Sequence, residues 1–231
     1  HGLVLICGPT GSGKSTTLYA TLRLLNETTR NILTIEDPVE YTLEGVNQVQ
    51  LREDIGLTFT AALRTFLRQD PDIVMLGEIR DADTAQMAIR SALTGHLIFS
   101  TIHTNSAWGC VSRLTDMGVH PYLLADTLVL CVAQRLVRLL CPHCKVSRND
   151  RNGFRAVGCD ACYDTGYAGR KAIYEVLPVD ERLSSAIRRA EEVVIQPERM
   201  GIRTLRTSAL ELVEQGLTSY EEVLPLLNEC L

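Results

Sequence analysis

The sequence predicts an α/β domain of the doubly wound kind, extended by a small cysteine-bound module and a helical tail. Three observations carry that expectation. Short β-rich runs alternate with amphipathic helical runs through residues 1–140. The first apolar run leads directly into the glycine-rich stretch GPTGSGKST, Gly8 to Thr16. Two CxxC pairs, Cys141/Cys144 and Cys159/Cys162, stand 14 residues apart.

Leu3-Val4-Leu5-Ile6-Cys7 reads as the first strand and Thr17 to Glu27 as the first helix. Between them, Gly8-x4-Gly13-Lys14-Ser15 fits the phosphate-binding loop, in the strand and helix context that this loop requires. Glycines let the loop turn its backbone N–H groups inward, and the helix N-terminus adds positive potential. Lys14 is placed to reach the β- and γ-phosphates and the Ser15 hydroxyl to ligate Mg2+. Pro9, Thr10, Gly11, Ser12 and Thr16 complete the candidate cradle for ATP or ADP. An ordinary glycine-rich turn is the plain alternative, and the flanking elements argue against it.

Asn31 to Tyr41, NILTIEDPVEY, begins as a buried strand and ends in the acids Glu36, Asp37 and Glu40, with Pro38 stopping it. Acids just past a strand's carboxyl end belong to the site edge of such a sheet. Gly45 to Arg52 alternates like an edge hairpin, and the helix after it sets Phe59, Leu63, Phe66 and Leu67 on one core-facing side. The run Ile73 to Leu76 is a second buried strand that delivers Glu78. A phosphate-loop enzyme needs such a carboxylate to hold Mg2+ through water or to align the attacking water; a solvated strand end is the alternative for Glu78 and Arg80. Asp81 or Asp83 caps the next helix, which stops at Gly95. A third strand, Leu97 to Ile102, follows, bracketed by His96 and His103. These histidines are placed to sense the γ-phosphate or to link neighbouring subunits, with a structural role as the plainer use of each.

The two CxxC knuckles sit close to the usual four-thiolate zinc pattern, with Pro142, Gly158 and Gly166 supplying turns. Two redox pairs or two disulfides are the competing readings. Cys7, Cys110, Cys131 and Cys230 are scattered singly and read as packing residues.

The 231 residues suffice for one large α/β domain and a smaller appendage, with 45% hydrophobic residues to fill a core. Aromatics make up only 5% and the net charge is −5, which argues against a chain-wide basic surface for nucleic acid or anionic lipid. The longest apolar stretch, Leu123 to Ala133, is short and interrupted by Asp126, so no membrane span or signal peptide is expected. His1 immediately precedes the first strand, and the chain is expected to be the later part of something longer.

On these motifs the chain resembles the C-terminal motor domain of the type II secretion and type IV pilus assembly ATPases. In that family the phosphate loop is followed by an acidic box ending in EDPxE, a degenerate acidic strand GEIRD and a histidine box, and all three stand here in order. Assembly and secretion members carry a four-cysteine knuckle, matched by CPHC and CDAC, and a helical tail like that at 201–223. The resemblance implies a RecA-like core at 1–140, a zinc subdomain at 141–170 and a C-terminal strand and helical region at 171–231, with N-terminal domains upstream of this chain. It gives Lys14 and Ser15 the phosphate and Mg2+ roles, Glu40 the activation of water, Glu78 the second strand's acid and His96 and His103 the histidine box, with Glu36 and Asp37 behind them. It further implies Mg-dependent ATP hydrolysis in a homo-hexameric ring at the cytoplasmic side of a bacterial inner membrane. The partners would be a membrane platform protein and its cytoplasmic recruiter, with no nucleic acid and membrane contact only through partners. The family's preceding domain supplies arginines to the nucleotide; Arg68, Arg80 and Arg90 lie near site elements but have plainer surface uses. Trp108 and Cys110 stand where the family usually has small residues.

Two other classes compete. A DNA-pumping or helicase-type motor shares the loop, but basic and aromatic residues do not interleave here as a strand channel requires. A non-hydrolysing scaffold would have lost an acid or the lysine, whereas Lys14, Glu40 and Glu78 are all intact. Within the resemblance, secretion and pilus assembly carry the same boxes, and pilus retraction ranks third because retraction motors usually lack the four cysteines.

Overall fold

The computed structural model describes residues 1–148, 153–190 and 200–229. The chain divides into two compact units, the first made of His1–Gly8, Lys14–Val132 and Leu177–Ile195, the second of Pro9–Gly13, Ala133–Val176 and Gln196–Leu231.

In the first unit, β1 (Gly2–Cys7), β2 (Ile32–Glu36), β3 (Asn47–Gln50), β4 (Ile73–Leu76) and β5 (Leu97–Ile102) pair in the order β3-β2-β4-β5-β1. Every pair in that row is parallel. Strands β2 and β4 are buried along their whole length, which is why they read as continuous apolar runs: a parallel sheet is covered on both faces. Helices α1 (Lys14–Leu25), α2 (Phe59–Phe66), α3 (Ala82–Leu93), α4 (Gly109–Asp116) and α5 (Pro121–Thr127) fall between and after the strands. Leu18, Tyr19 and Leu22 of α1 bury one helical face against Ile6, Ile32, Ile73 and Met75.

Local chemistry sets the helix ends. Thr58 caps α2 by accepting from Ala61 N at 3.2 Å, and Asp81 caps α3 by accepting from Thr84 N at 2.8 Å. Phe59, Leu63 and Phe66 are buried as their spacing predicts, while Leu67 lies just past the end of α2 and is only partly covered. Past α3, Gly95 adopts φ +104°, so the chain can turn directly into β5.

The segment Gly45 to Arg52 is not a hairpin. Its strand β3 is at the sheet edge as expected, but it pairs parallel to β2, Leu33 opposite Asn47, with an isolated antiparallel bridge between Arg52 and Leu57 after it. Alternation along a strand reports which face is covered and says nothing of the neighbour's direction.

Strand β6 (Leu128–Leu140) begins in the first unit and continues into the second. The second unit also holds a two-stranded antiparallel ribbon, β7 (Val146–Ser147) with β8 (Phe154–Arg155), and strand β9 (Tyr167–Pro178), which neighbours β6. Helices α7 (Leu205–Glu214) and α8 (Tyr220–Glu229) follow, while α6 (Glu181–Arg188) belongs to the first unit. The tail is tied to β6: Arg138 Nε donates to Glu222 Oε2 at 2.9 Å, and Thr218 Oγ1 donates to the Arg138 carbonyl at 2.7 Å. Among the described residues no helix is long and apolar enough to cross a membrane. Cys7, Cys110 and Cys131 are fully buried, in keeping with packing roles; Cys230 lies outside the described residues.

Candidate functional site

Because the five strands of the first unit run parallel, their carboxyl ends share one edge, where a doubly wound sheet binds ligands. Cys7 ends β1 and hands over to the loop Gly8–Thr16; Glu36 ends β2 and leads to Asp37 and Glu40; Leu76 ends β4 and leads to Glu78; Ile102 ends β5 and leads to His103.

In the loop, Gly8, Gly11 and Gly13 adopt φ of +148°, +78° and +86°, values that residues with a Cβ rarely take. Alternating backbone handedness of this kind turns successive N–H groups into an anion-binding concavity. Lys14 Nζ donates to the Gly8 carbonyl at 2.9 Å, so the ammonium closes the loop that it would share with a phosphate. Gln134, itself buried, donates Nε2 to the Ser12 carbonyl at 2.7 Å, and a Cβ on Gly13 would lie only 2.9 Å from that nitrogen. Ser12 is buried, and its Oγ finds no hydrogen-bond partner among the described residues. A buried hydroxyl in that state, inside a ring of positive-φ glycines, fits a polyphosphate. Ser15 and Thr16 follow Lys14 in the first turn of α1, with Ser15 near the helix N-terminus where a phosphate-bound Mg2+ would stand.

Glu78 is held by charged neighbours. Its carboxylate pairs with Arg80, and His103 Nε2 lies 3.7 Å from its other oxygen. The Arg80 hydrogen bond holds the Glu78 carboxyl below the usual carboxylate range against the opposing push of burial, with His103 and Lys14 adding to the effect. Arg80 also lies 3.5 Å from Asp37, so one guanidinium links the loops after β2 and β4. Glu40 is exposed on the loop after β2, its backbone N–H donating to the Tyr19 hydroxyl at 3.1 Å. Glu36 is buried and accepts from Tyr19, from Thr34 Oγ1 at 2.5 Å and from Gln48 Nε2 at 3.0 Å.

Lys14, Glu40, Glu78 and His103 thus converge on one edge. His96 does not. It precedes β5, its carbonyl accepting from the N–H of Gly2 at the start of β1, and its Nδ1 sits 3.0 Å from the Ser91 carbonyl. The six residues of β5 separate it from His103, roughly 20 Å at about 3.3 Å per residue. Its expected place in the site is corrected to a turn contact at the opposite edge. Sequence reasoning missed Tyr19 and Gln134, and it gave Arg80, which pairs with Glu78 and Asp37, a plainer surface use. Arg80 was legible only through its spacing of two from Glu78; the other two have partners 17 and 122 positions away.

In the second unit the sulfurs of Cys141, Cys144, Cys159 and Cys162 all lie within 4.8 Å of one another. Cys141–Cys159 is 4.0 Å, and Cys144–Cys162 and Cys159–Cys162 are both 3.8 Å. Thiolates at about 2.3 Å from a tetrahedral zinc stand about 3.8 Å apart. The cluster therefore fits a four-thiolate metal centre. Gly158 and Gly166, at φ +121° and +75°, make the turns around it, and the backbone N–H of each donates to a cysteine sulfur.

A family model described as type II/IV secretion system protein matches residues 1–225. The type II secretion system protein HxcR of Pseudomonas aeruginosa is 51% identical over 227 residues, covering 97% of this chain and 48% of that protein. The type IV pilus assembly ATPase PilB of Myxococcus xanthus is 49% identical, covering 96% of this chain and 43% of its own length. The crystal structure of the pilus retraction motor PilT with bound ADP superposes with a TM-score of 0.76 at 33% identity, covering 97% of this chain and 60% of that one. The chain spans about half the length of the curated relatives it matches. Its parallel α/β sheet, phosphate loop, acidic strands and cysteine cluster together with these matches make it a member of the type II/IV secretion system protein family.

Proposed function

We propose that this chain is the ATP-hydrolysing core of a motor that drives pilus or pseudopilus assembly or type II protein secretion. The observation that carries the reading is that Lys14, Glu40, Glu78 and His103 all follow the carboxyl ends of strands in one parallel sheet. Lys14 and the backbone of Gly8–Thr16 hold the phosphates, and Ser15 ligates Mg2+. The metal, when bound, neutralises charge on the β- and γ-phosphate oxygens. Glu40 takes the proton of the attacking water. Glu78, kept ionised by Arg80, orients that water or the metal's water shell, and His103 beside it reports the state of the γ-phosphate position. The cysteine cluster holds one zinc in a closed structural site and favours assembly or secretion over retraction.

The names of PilB and of the secretion relatives support work in pilus assembly or type II secretion; to that work this reading assigns a homo-hexamer at the cytoplasmic face of the inner membrane, acting on a membrane platform protein through a cytoplasmic recruiter. Nucleotide turnover tests the reading. Lys14→Ala and Glu78→Gln should each abolish it while leaving the fold intact, because each removes charge stabilisation felt mainly in the transition state. Wild-type rates in either variant would sink it, and stimulation of turnover by DNA would favour a nucleic-acid motor instead.

A further inference from the structure

Glu36 poses a question of cost. A carboxyl group buried at the end of an apolar strand is destabilising unless its hydrogen-bonding capacity is met, and Glu36 is only 4% exposed. Three side chains meet it: Tyr19 on Oε2, and Thr34 and Gln48 on Oε1. Two of these donors have a second engagement. The Tyr19 hydroxyl, which donates to Glu36, accepts from the Glu40 backbone N–H at 3.1 Å. Gln48 Nε2 also donates to the Tyr41 carbonyl at 3.2 Å, while its Oε1 accepts from Leu43 N at 2.6 Å. Three backbone groups between Glu40 and Leu43 are therefore tied, through two side chains, to one buried carboxyl. The Tyr41 ring packs edge-on against the Tyr19 ring at 4.6 Å, closing the same segment from the other side.

The position of Tyr19 gives this network its meaning. It stands on α1, the helix that starts at Lys14, five residues and about one and a half turns after the lysine. A phenylalanine there would fill the same core volume, so the hydroxyl is not required for packing. Burial first, and the hydrogen bond to Glu36 after it, push the Tyr19 hydroxyl up to about 12, so it remains a proton donor at any working pH.

The geometry points to Tyr19 and Gln48 as positioning residues for Glu40: anchored on Glu36, they fix the Glu40–Leu43 segment relative to the helix that begins with the phosphate-binding lysine. This rests on the reading of Glu40 as the residue that activates water. Among the described residues the side-chain hydrogen bonds of both go to Glu36 and to the Glu40–Leu43 segment, not to Gly8–Thr16, so their loss should act on the rate and spare binding. Misplacing a reacting group by about 1 Å can cost on the order of 100-fold in rate.

Single-turnover hydrolysis with protein in excess, ADP affinity by calorimetry and thermal midpoint are measured for Tyr19→Phe, Gln48→Leu, Glu40→Gln and Glu40→Asp, and for Tyr19→Phe and Gln48→Leu each combined with Glu40→Asp. Tyr19→Phe and Gln48→Leu should lower the rate on the order of 10- to 100-fold with ADP affinity unchanged. In the Glu40→Asp background each should add little, since residues acting through one another are not additive. Wild-type rates in both variants alongside an inactive Glu40→Gln would overturn the positioning role and leave the role of Glu40 standing. Full additivity with Glu40→Asp, or a loss of ADP affinity equal to the loss of rate, would also overturn it. Wild-type turnover in Glu40→Gln would remove the underlying reading and this inference with it. Should Tyr19→Phe fail to fold, Gln48→Leu, on the partly exposed strand β3, carries the same cycle.

Discussion

Removing the metal from the four-cysteine cluster should loosen the second unit by an amount that follows from its geometry. Three sulfur separations of 3.8 to 4.0 Å match the edges of a zinc–thiolate tetrahedron, so assembling the site requires little rearrangement. The dominant loss is then the closure of the loop between the knuckles, 14 residues between Cys144 and Cys159. A cross-link of that length constrains the unfolded chain by about 3 kcal/mol in the chain-entropy model. At about 2–4 °C per kcal/mol for a chain of this size, stripping the metal or making Cys141→Ser should lower the melting temperature by about 6–12 °C. Residual turnover, corrected for the folded fraction, should be unchanged, because a closed four-thiolate site leaves no position for substrate. Metal analysis of protein purified without chelator, followed by calorimetry before and after stripping, decides the matter. Less than about half an equivalent of zinc, or an unmoved melting temperature, would refute the reasoning.

Gly13→Ala should abolish nucleotide binding, measured by titration with fluorescent ADP, because it forces a Cβ into a φ of +86° and to within 2.9 Å of Gln134 Nε2. Leu22→Ala, which empties a fully buried position on α1, should cost about 2–5 kcal/mol in urea unfolding while leaving affinity for ADP in place. Arg80 lowers the Glu78 carboxyl from its ordinary 4.5, so the ionised pair stabilises the fold above that value and the contribution fades as pH falls through the lower, folded one. Arg80→Gln should therefore reduce stability at neutral pH and flatten its acid slope below about pH 4.5; an unaltered slope in urea titrations would count against the pairing.

Much of the site edge was legible in the sequence because it is local. The β5 run Leu97 to Ile102 is bounded by the residues that bound it in the structure, Asp81 caps α3 and the loop glycines stand where their φ values demand glycine. What escaped is pairing between distant segments. Tyr19 reads as one more apolar residue in a helical stripe, and only the fold brings it to Glu36 and Glu40. Gln134 sits in a strand of apolar and basic residues with nothing nearby to announce its bond to Ser12. His96 and His103 look equivalent on either side of a strand, yet a parallel sheet has a ligand edge and a blind edge, and strand direction assigns one histidine to each. The parallel sense of β3 was likewise invisible, since the same alternation serves either direction.

The late return of the chain to its first unit bears on synthesis at the ribosome. Residues Leu177–Ile195 belong with the earlier unit, and α6 docks on α5 through Ser184 Oγ to the Ala125 carbonyl at 2.7 Å and an Arg188–Asp126 pair. Val179 N also donates to the Val129 carbonyl at 2.9 Å. At about 5–20 residues per second, an emerging chain that has already made the phosphate loop, both acidic strands and the histidine turn must wait several seconds for the segment that covers α5. During that interval the groups of α5 that α6 meets, the Ala125 carbonyl and Asp126, are open to water or to a chaperone. Nascent chains arrested before Leu177 should therefore be more protease-sensitive at α5 than chains released after Ile195, which makes a late segment of the sequence a folding requirement for an element made well before it.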